Sequence, residues 1–306
     1  MYDIIVVGAG PAGLTSALYL RRAEKSVLLI EKNTFGGQIT HSPRVENYPG
    51  FNEISGSELG ERFLEQVIAQ GADIELDTVT GISGEDGDFT VTCEGGASFK
   101  SKGVIIATGS MHRTLGLKDE DKYTGEGISY CAVCDGAFYK DRTVAIIGGG
   151  NSALQEANML SDICKKVTVI QNLYFFTGEK NLVDRLSEKK NVECIFGSVV
   201  TDIIAEGDTF RGIKVQNTHT SEITEILVDG MFVAIGQKPE NEPFRDVVAL
   251  NDYGYIDAGE NCLPKSAYKG IFVAGDCRTK STRQVATAVA DGAVAALSAC
   301  RFIDNL

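Results

Sequence analysis

Two glycine-rich turns, standing 140 residues apart and each set between a short apolar run and a helical pattern, predict an α/β protein. Apolar runs that follow the second turn repeat the pattern of those that follow the first. Together these observations give two nucleotide-binding three-layer (Rossmann-like) domains, the second inserted into the first.

Residues 3–7 (Asp-Ile-Ile-Val-Val) form the kind of apolar run that is buried in a parallel sheet. Gly8-Ala9-Gly10-Pro11-Ala12-Gly13 follows and opens a helical pattern through Arg22. A second apolar run, Ser26 to Ile30, ends in Glu31. In this layout glycines let the backbone approach a pyrophosphate at a helix N-terminus, and the acid accepts a ribose hydroxyl. Strand-like Phe89 to Cys93 and the apolar Val104-Ile105-Ile106-Ala107, followed by Thr108-Gly109, come next. The unit then recurs: Thr143 to Ile147 as strand, Gly148-Gly149-Gly150-Asn151-Ser152-Ala153 as turn, Leu154 to Leu160 as helix and Val167 to Ile170 as the next strand. Gly230 to Ile235 with Gly236 resembles Val104 to Gly109, and Ile271-Phe272-Val273-Ala274 leads into Gly275-Asp276. Val285 to Cys300 is helix-like. Connections near Arg113–Gly116 and Pro239–Pro243 divide the chain into an outer domain, 1–113 with 243–306, and an inserted domain, 114–242.

Composition narrows the function. The 306 residues include 34 glycines and only six prolines, and 29 basic against 42 acidic residues leave a net charge of −13. Such a surface repels phosphate backbones and anionic lipid, so neither nucleic acid nor a membrane is expected as main partner. The apolar N-terminal run is broken by Gly8, Gly10, Pro11 and Gly13, and no basic segment precedes it, which suggests a cytoplasmic chain rather than a signal peptide.

Eight cysteines are spread through the chain, and two of them form Cys131-Ala132-Val133-Cys134-Asp135. A CxxC can close a small disulfide ring, supply half a zinc site or sit reduced in a core. No second CxxC exists and His41, His112 and His219 are scattered, so no metal is expected. A redox pair explains the motif best, because a neighbouring carboxyl such as Asp135 can deliver and collect the proton that dithiol chemistry needs. The remaining features have plainer readings: Tyr174-Phe175-Phe176 as core aromatics, and Glu188-Lys189-Lys190 as a solvated helix end.

Gly8 to Gly13, Gly36-Gly37-Gln38, Glu46-Asn47-Tyr48-Pro49-Gly50, Ala107-Thr108-Gly109, Cys131 to Asp135, and Gly275-Asp276 with Arg283-Gln284 together resemble the low-molecular-weight thioredoxin reductases over essentially the full length. The resemblance implies FAD in the outer domain, with Gly8, Gly10, Gly13 and Glu31 on its ADP part. It places Gln38 and Asn47 near the isoalloxazine, Asp276 on the ribityl-pyrophosphate region and Gln284 at the flavin ring. Pro11, Ala12, Lys32, Gly37, Val79, Thr108, Gly109, Arg283 and Val285 complete the implied flavin-binding set. It also implies a homodimer, thioredoxin as partner, Cys134 facing the flavin, and Cys131 as the sulfur that attacks thioredoxin.

One departure bears on the electron donor. Glu31 stands 23 residues after Gly8, and the residue at the same distance from Gly148 is Gln171, followed by Asn172-Leu173. NADPH-dependent members carry a His-Arg-Arg type sequence there to hold the 2′-phosphate. Glutamine can still bond a hydroxyl but offers nothing to a phosphate, or the turn survives only as a folding element. The chain therefore looks most like the branch that takes electrons from reduced ferredoxin. An NAD(P)H-dependent reductase, a dithiol oxidase and a redox sensor without turnover are the alternatives.

Overall fold

The structure, a computed structural model, describes residues 1–306. The chain forms two compact units, Met1–Met111 with Lys238–Leu306, and His112–Gln237. These divisions fall a few residues before the glycines and prolines that mark the connections in the sequence. Asn241 explains the later one: it is 1% exposed and bonded to Thr108, Gly254 and Cys277, so it belongs to the first unit's core.

In the first unit, β1 (Tyr2–Val7), α1 (Pro11–Arg22) and β2 (Val27–Glu31) form the expected βαβ unit. Then come α2 (Gly56–Ala69), β3 (Asp73–Leu76), β4 (Val79–Glu85), β5 (Asp88–Cys93) and β6 (Ser98–Ile106), and the short β7 (Met111–His112) stands at the division between the units. The sheet runs β3-β2-β1-β6-β5-β4. Its β3-β2-β1-β6 part is parallel, while β4 and β5 add antiparallel.

In the second unit, α3 (Glu120–Tyr123), β8 (Ile128–Ser129) and α4 (Ala132–Asp135) precede β9 (Thr143–Ile147), α5 (Asn151–Ile163) and β10 (Lys166–Ile170). There follow α6 (Lys180–Ser187), β11 (Val192–Ile195), the antiparallel β12 (Ser198–Glu206), β13 (Thr209–Asn217) and β14 (Ile223–Leu227), and then β15 (Gly230–Val233). The parallel sheet is ordered β11-β10-β9-β15-β8. After β16 (Gln237–Lys238) the chain returns to the first unit, where β17 (Ile271–Val273) pairs parallel with β6 and α7 (Val285–Ile303) closes the fold. The two parallel sheets thus share one strand order, β3-β2-β1-β6-β17 against β11-β10-β9-β15-β8, as the repeated turn anticipates.

Packing follows the two-residue period of β1. Ile4 and Val6 point to α1 and α7, meeting Leu14, Ala17, Leu20, Ala295 and Ala299, whereas Ile5 and Val7 point to the opposite face with Val91, Phe244 and Val248. α7 is long and apolar enough to cross a membrane by length and composition, but its alanines pack in this core. The exception on that helix is Asp291, whose carboxylate bonds Arg278 at 2.8 and 2.9 Å and Lys280 at 3.0 Å and accepts the Gly275 amide at 3.0 Å. Burial alone would raise its pKa, but the two cations hold it below the ordinary carboxylate value.

Removing this carboxylate leaves buried Arg278 without its ion-pair partner and Lys280 with only the longer 3.9 Å pair to Asp276. Asp291→Asn is expected to cost about 3–5 kcal/mol in urea unfolding. Because the folded-state pKa is depressed, Asp291 contributes fully above the ordinary carboxylate pKa, and its share is lost as the pH falls through the folded value. The wild type should therefore lose more stability than Asp291→Asn between about pH 5 and about pH 3; parallel losses would refute the assignment.

Candidate active site and cofactor cradle

In the second unit, β8 ends at Ser129 and the chain turns at once into α4, whose N-cap is Cys131 with extended backbone. One helical turn then brings Cys134 back over Cys131, with 5.3 Å between their Cα atoms, and the two sulfurs are joined in a disulfide. The Cys134 amide donates to Cys131 Sγ at 3.2 Å. Cys131 and Cys134 are both half-buried, and Val133 between them is exposed.

Asp135 ends the same turn. Its Oδ2 accepts from Ser129 Oγ at 2.6 Å, and Ser129 Oγ accepts the Cys131 amide at 3.1 Å, so one hydroxyl ties the carboxyl to the backbone of the redox pair. Asp135 Oδ1 is buried without a partner. Burial pushes the Asp135 pKa up, with the Ser129 bond opposing it in part. A carboxyl that keeps its proton above the usual range, on the turn that carries the disulfide, is placed to supply a proton to a leaving thiolate. Ser129 was not anticipated from the sequence: a lone serine two residues before a cysteine has no recognisable spacing.

In the first unit the cradle forms at the C-terminal ends of β1, β6 and β17, the edge where α/β sheets bind ligands. Gly8 has φ +100°, and a Cβ there would lie 2.5 Å from the carbonyl oxygen of Ala107, so the turn and the Ala107-Thr108-Gly109 segment touch backbone to backbone. Gly10 caps α1 without a side-chain bond, Pro11 takes the first helical position, and a Cβ on Gly37 would come within 2.9 Å of Gly10 Cα. Glu31 is buried at the end of β2, with Oε2 accepting the Ala9 amide at 2.7 Å and Oε1 the Asn33 amide at 2.9 Å. Thr108 Oγ1 donates to Asn241 Oδ1 at 2.9 Å, and Asn47 donates to Gln284 at 3.3 Å. Arg283 lies 4.4 Å over the Tyr255 ring, Gln284 caps α7, and Val285 begins that helix. Gln38 is exposed on the 3₁₀ turn Gly37–His41.

Val79 sits in the core cluster with Ile5 and Val7, and exposed Lys32 pairs with Glu240; the structure gives these two no place in the turn itself. Asn241 and Asp291 were missed as supports. Asn241 carried no local signal, whereas Asp291 is the lone acid inside an apolar helix, which a sequence reading could have singled out.

These residues fit FAD. Asp276 Oδ1, with Lys280 Nζ 3.9 Å away, and Arg283 Nε are buried polar atoms without a hydrogen-bond partner, which suits them to a polar ligand. Burial also raises the Asp276 pKa, opposed by Lys280 and Arg283.

The second glycine turn repeats the first. Gly148 has φ +131°, and a Cβ there would lie 2.5 Å from the Ala234 oxygen, the counterpart of Ala107. Gln171 is buried against Gly149 and donates from Nε2 to the Phe175 oxygen at 3.2 Å, while the amides of Thr177 and Gly178 donate to the Gly149 oxygen. Residues 171–178 thus fold over the turn and bring no cationic side chain to it. Tyr174 and Phe175, expected in the core, are 65% and 62% exposed; only Phe176 turns inward, edge-on to Phe196. The difference arises because the loop, not the strand, carries them, and its bonds to Gly149 fix its path across the outside of the turn.

Comparison with known proteins matches this architecture. The family described as pyridine nucleotide-disulphide oxidoreductase matches residues 2–292. The chain is 38% identical to a thioredoxin reductase of Listeria monocytogenes over 307 residues, covering 100% of this chain and 95% of that protein. It is 36% identical to the thioredoxin reductase of Bacillus subtilis, covering 100% of this chain and 96% of the relative. The crystal structure of the Streptococcus pyogenes thioredoxin reductase superimposes with a TM-score of 0.94 at 36% identity, covering 100% and 99% of the two chains. With its FAD cradle and its CxxC disulfide in separate units of one duplicated fold, the chain belongs to the pyridine nucleotide-disulphide oxidoreductases, as a flavoprotein of the thioredoxin reductase type.

Proposed function

We propose that the chain is a thioredoxin-disulfide reductase in which electrons reach thioredoxin through FAD and the Cys131–Cys134 pair. The observation that carries this is a closed disulfide on one helical turn with the protonatable Asp135 on that same turn. FAD, when bound, supplies the ability to collect electrons singly or in pairs and pass on a pair. Taking up two electrons breaks the Cys131–Cys134 bond, and two protons complete the dithiol, one of them from Asp135. The Cys134 amide on Cys131 Sγ favours negative charge at Cys131, which suits that sulfur for attack on the thioredoxin disulfide. A mixed disulfide between Cys131 and thioredoxin forms as the thioredoxin S–S bond breaks; Cys134 then attacks Cys131 Sγ, the thioredoxin sulfur leaves as a thiolate, and the protein disulfide is restored as thioredoxin departs as the dithiol.

For the donor, the family match supports a pyridine nucleotide, since the second glycine turn is complete. The absence of a cation from residues 171–178 favours NADH over NADPH among these. A second reading, reduced ferredoxin, is favoured by the same uncharged segment folded over the turn. Mixing the yellow protein anaerobically with NADH, NADPH or reduced ferredoxin, while following flavin absorbance, separates the three. The expected result is bleaching by NADH or ferredoxin well ahead of NADPH, with recovery on adding oxidised thioredoxin. Rapid bleaching by NADPH would overturn the reading of Gln171, and no recovery with thioredoxin would overturn the substrate.

Asp135→Asn is expected to lower thioredoxin reduction about 10²-fold or more. In Ser129→Ala the hydrogen bond that restrains Asp135 is gone, so its pKa rises further and the alkaline limb of the kcat profile moves to higher pH. An unchanged limb would show that Asp135 is not the acid.

A further inference from the structure

Outside the cradle and the CxxC turn, three hydrogen bonds of the second unit converge on one buried carboxylate. Glu120, 3% exposed at the start of α3, accepts the amides of Leu115 at 2.9 Å and Leu117 at 3.0 Å and the phenol of Tyr130 at 2.7 Å. Helix α3 is itself set in the core of that unit by buried Tyr123, edge-on to Phe210. The Tyr130 ring stacks on His112, with 5.3 Å between the centroids. Burial and then the Glu120 carboxylate push the phenol pKa further up, so the hydroxyl stays a donor at neutral pH. Tyr130 is thus clamped both at its ring face and at its hydroxyl, and the residue that follows it is Cys131.

We infer that Tyr130 is a positioning residue of the redox pair: clamped by Glu120, it fixes the backbone that leads into Cys131 and thereby favours the closed disulfide over the dithiol. This rests on the pair being the redox centre proposed above. Opening the bond takes the two sulfurs from bonded to non-bonded distance, which needs backbone shifts at Cys131 or Cys134, or rotation of their side chains. Beyond Cys134 the chain has little room, since a Cβ on Gly136 would stand 3.1 Å from Leu160 and 3.2 Å from Met159. Ahead of Cys131, Ser129 is paired with Phe232 in the sheet, and its Oγ accepts the Cys131 amide at 3.1 Å. Tyr130 joins Ser129 to Cys131, so its clamp removes the freedom that this stretch of backbone retains. A restrained Cys131 presents its sulfur to Cys134 at a higher effective concentration, which stabilises the disulfide against reduction. The bond that holds Tyr130 is buried and charge-assisted, the kind best able to exert such restraint.

The test uses the full-length flavoprotein, equilibrated anaerobically with glutathione buffers of varied composition. In this exchange the protein dithiol and one glutathione disulfide give the protein disulfide and two glutathione thiols, so electrons and protons balance. Acid quenching, alkylation and peptide mass spectrometry read the fraction closed at Cys131–Cys134, apart from the exposed Cys194. Tyr130→Phe keeps a ring on His112 and removes the bond to Glu120. It should lower the equilibrium constant for closure by about threefold to tenfold, the range set by one hydrogen bond. Adding Glu120→Gln to Tyr130→Phe should shift the constant no further, because the effect runs through the bond between them. Ile213→Val trims the same core without touching the hydrogen bonds of Glu120 and should leave the constant unchanged.

A constant that Tyr130→Phe leaves unaltered, a further shift in the double variant, or an equal shift in Ile213→Val would overturn the inference. Should Tyr130→Phe fail to fold with its flavin, Glu120→Gln alone decides: it keeps an acceptor for the phenol, loses the charge, and should lower the constant by a smaller factor. No change in that variant would then overturn the inference. A closure constant that shifts as expected in a protein that never reduces thioredoxin would overturn the proposed substrate and leave Tyr130 in this role.

Discussion

A backbone-on-backbone contact at the carboxyl edge of each parallel sheet governs how the rest of the chain is arranged. In the first unit Gly8 rests on the Ala107 oxygen, and in the second Gly148 rests on the Ala234 oxygen. Any side chain at either glycine would push the first strand of the sheet away from its neighbour and tilt the helix that follows. Because that contact is short, α1 and α5 begin directly over the strand ends, and their first amide groups face the edge where a ligand's phosphates sit. The same geometry yields a cradle that fits FAD in one unit and a covered turn in the other. What differs is the loop after the second strand, which in the first unit leads through Glu31 to the Gly37–Gly10 contact and in the second lays Gln171 on Gly149.

The cradle is held by polar groups that the core would otherwise reject. Asp291 stands in an alanine-rich helix and is tolerated because Arg278, Lys280 and the Gly275 amide satisfy it. Its role follows from that last bond. Gly275 precedes Asp276, whose Oδ1 is buried without a hydrogen-bond partner, so the ion cluster fixes the turn that carries this carboxyl. Asn241 acts similarly from the opposite side, spending its amide on two carbonyls and accepting from Thr108. These groups set geometry more than stability, since pairing mainly offsets the cost of burying them.

The redox centre uses the same economy on a smaller scale. One turn of helix carries the disulfide, Asp135 and the exposed Val133, and Ser129 at the end of β8 restrains it from outside that turn. Asp135 has one oxygen bonded to Ser129 and the other buried without a hydrogen-bond partner, and burial holds its pKa above the usual carboxylate range.

Local pattern determined much of this protein in advance. The alternation in residues 3–7, the glycines at 8, 10 and 13, their recurrence from Gly148, and the three-residue step from Cys131 to Cys134 are all properties of neighbours along the chain, where strand and helix periods act directly. The fold class, the duplicated unit and the Cys131–Cys134 disulfide follow from them. Tertiary structure alone decided which distant groups complete the sites. Asn241 meets Thr108 across 133 positions, and Gln284 meets Asn47 across 237. It also turned Tyr174 and Phe175 outward, since the loop that carries them is bonded to Gly149 rather than buried by its own hydrophobicity. No residue spacing encodes such contacts, because they depend on where two elements meet in space, and that is fixed by the packing of all the others.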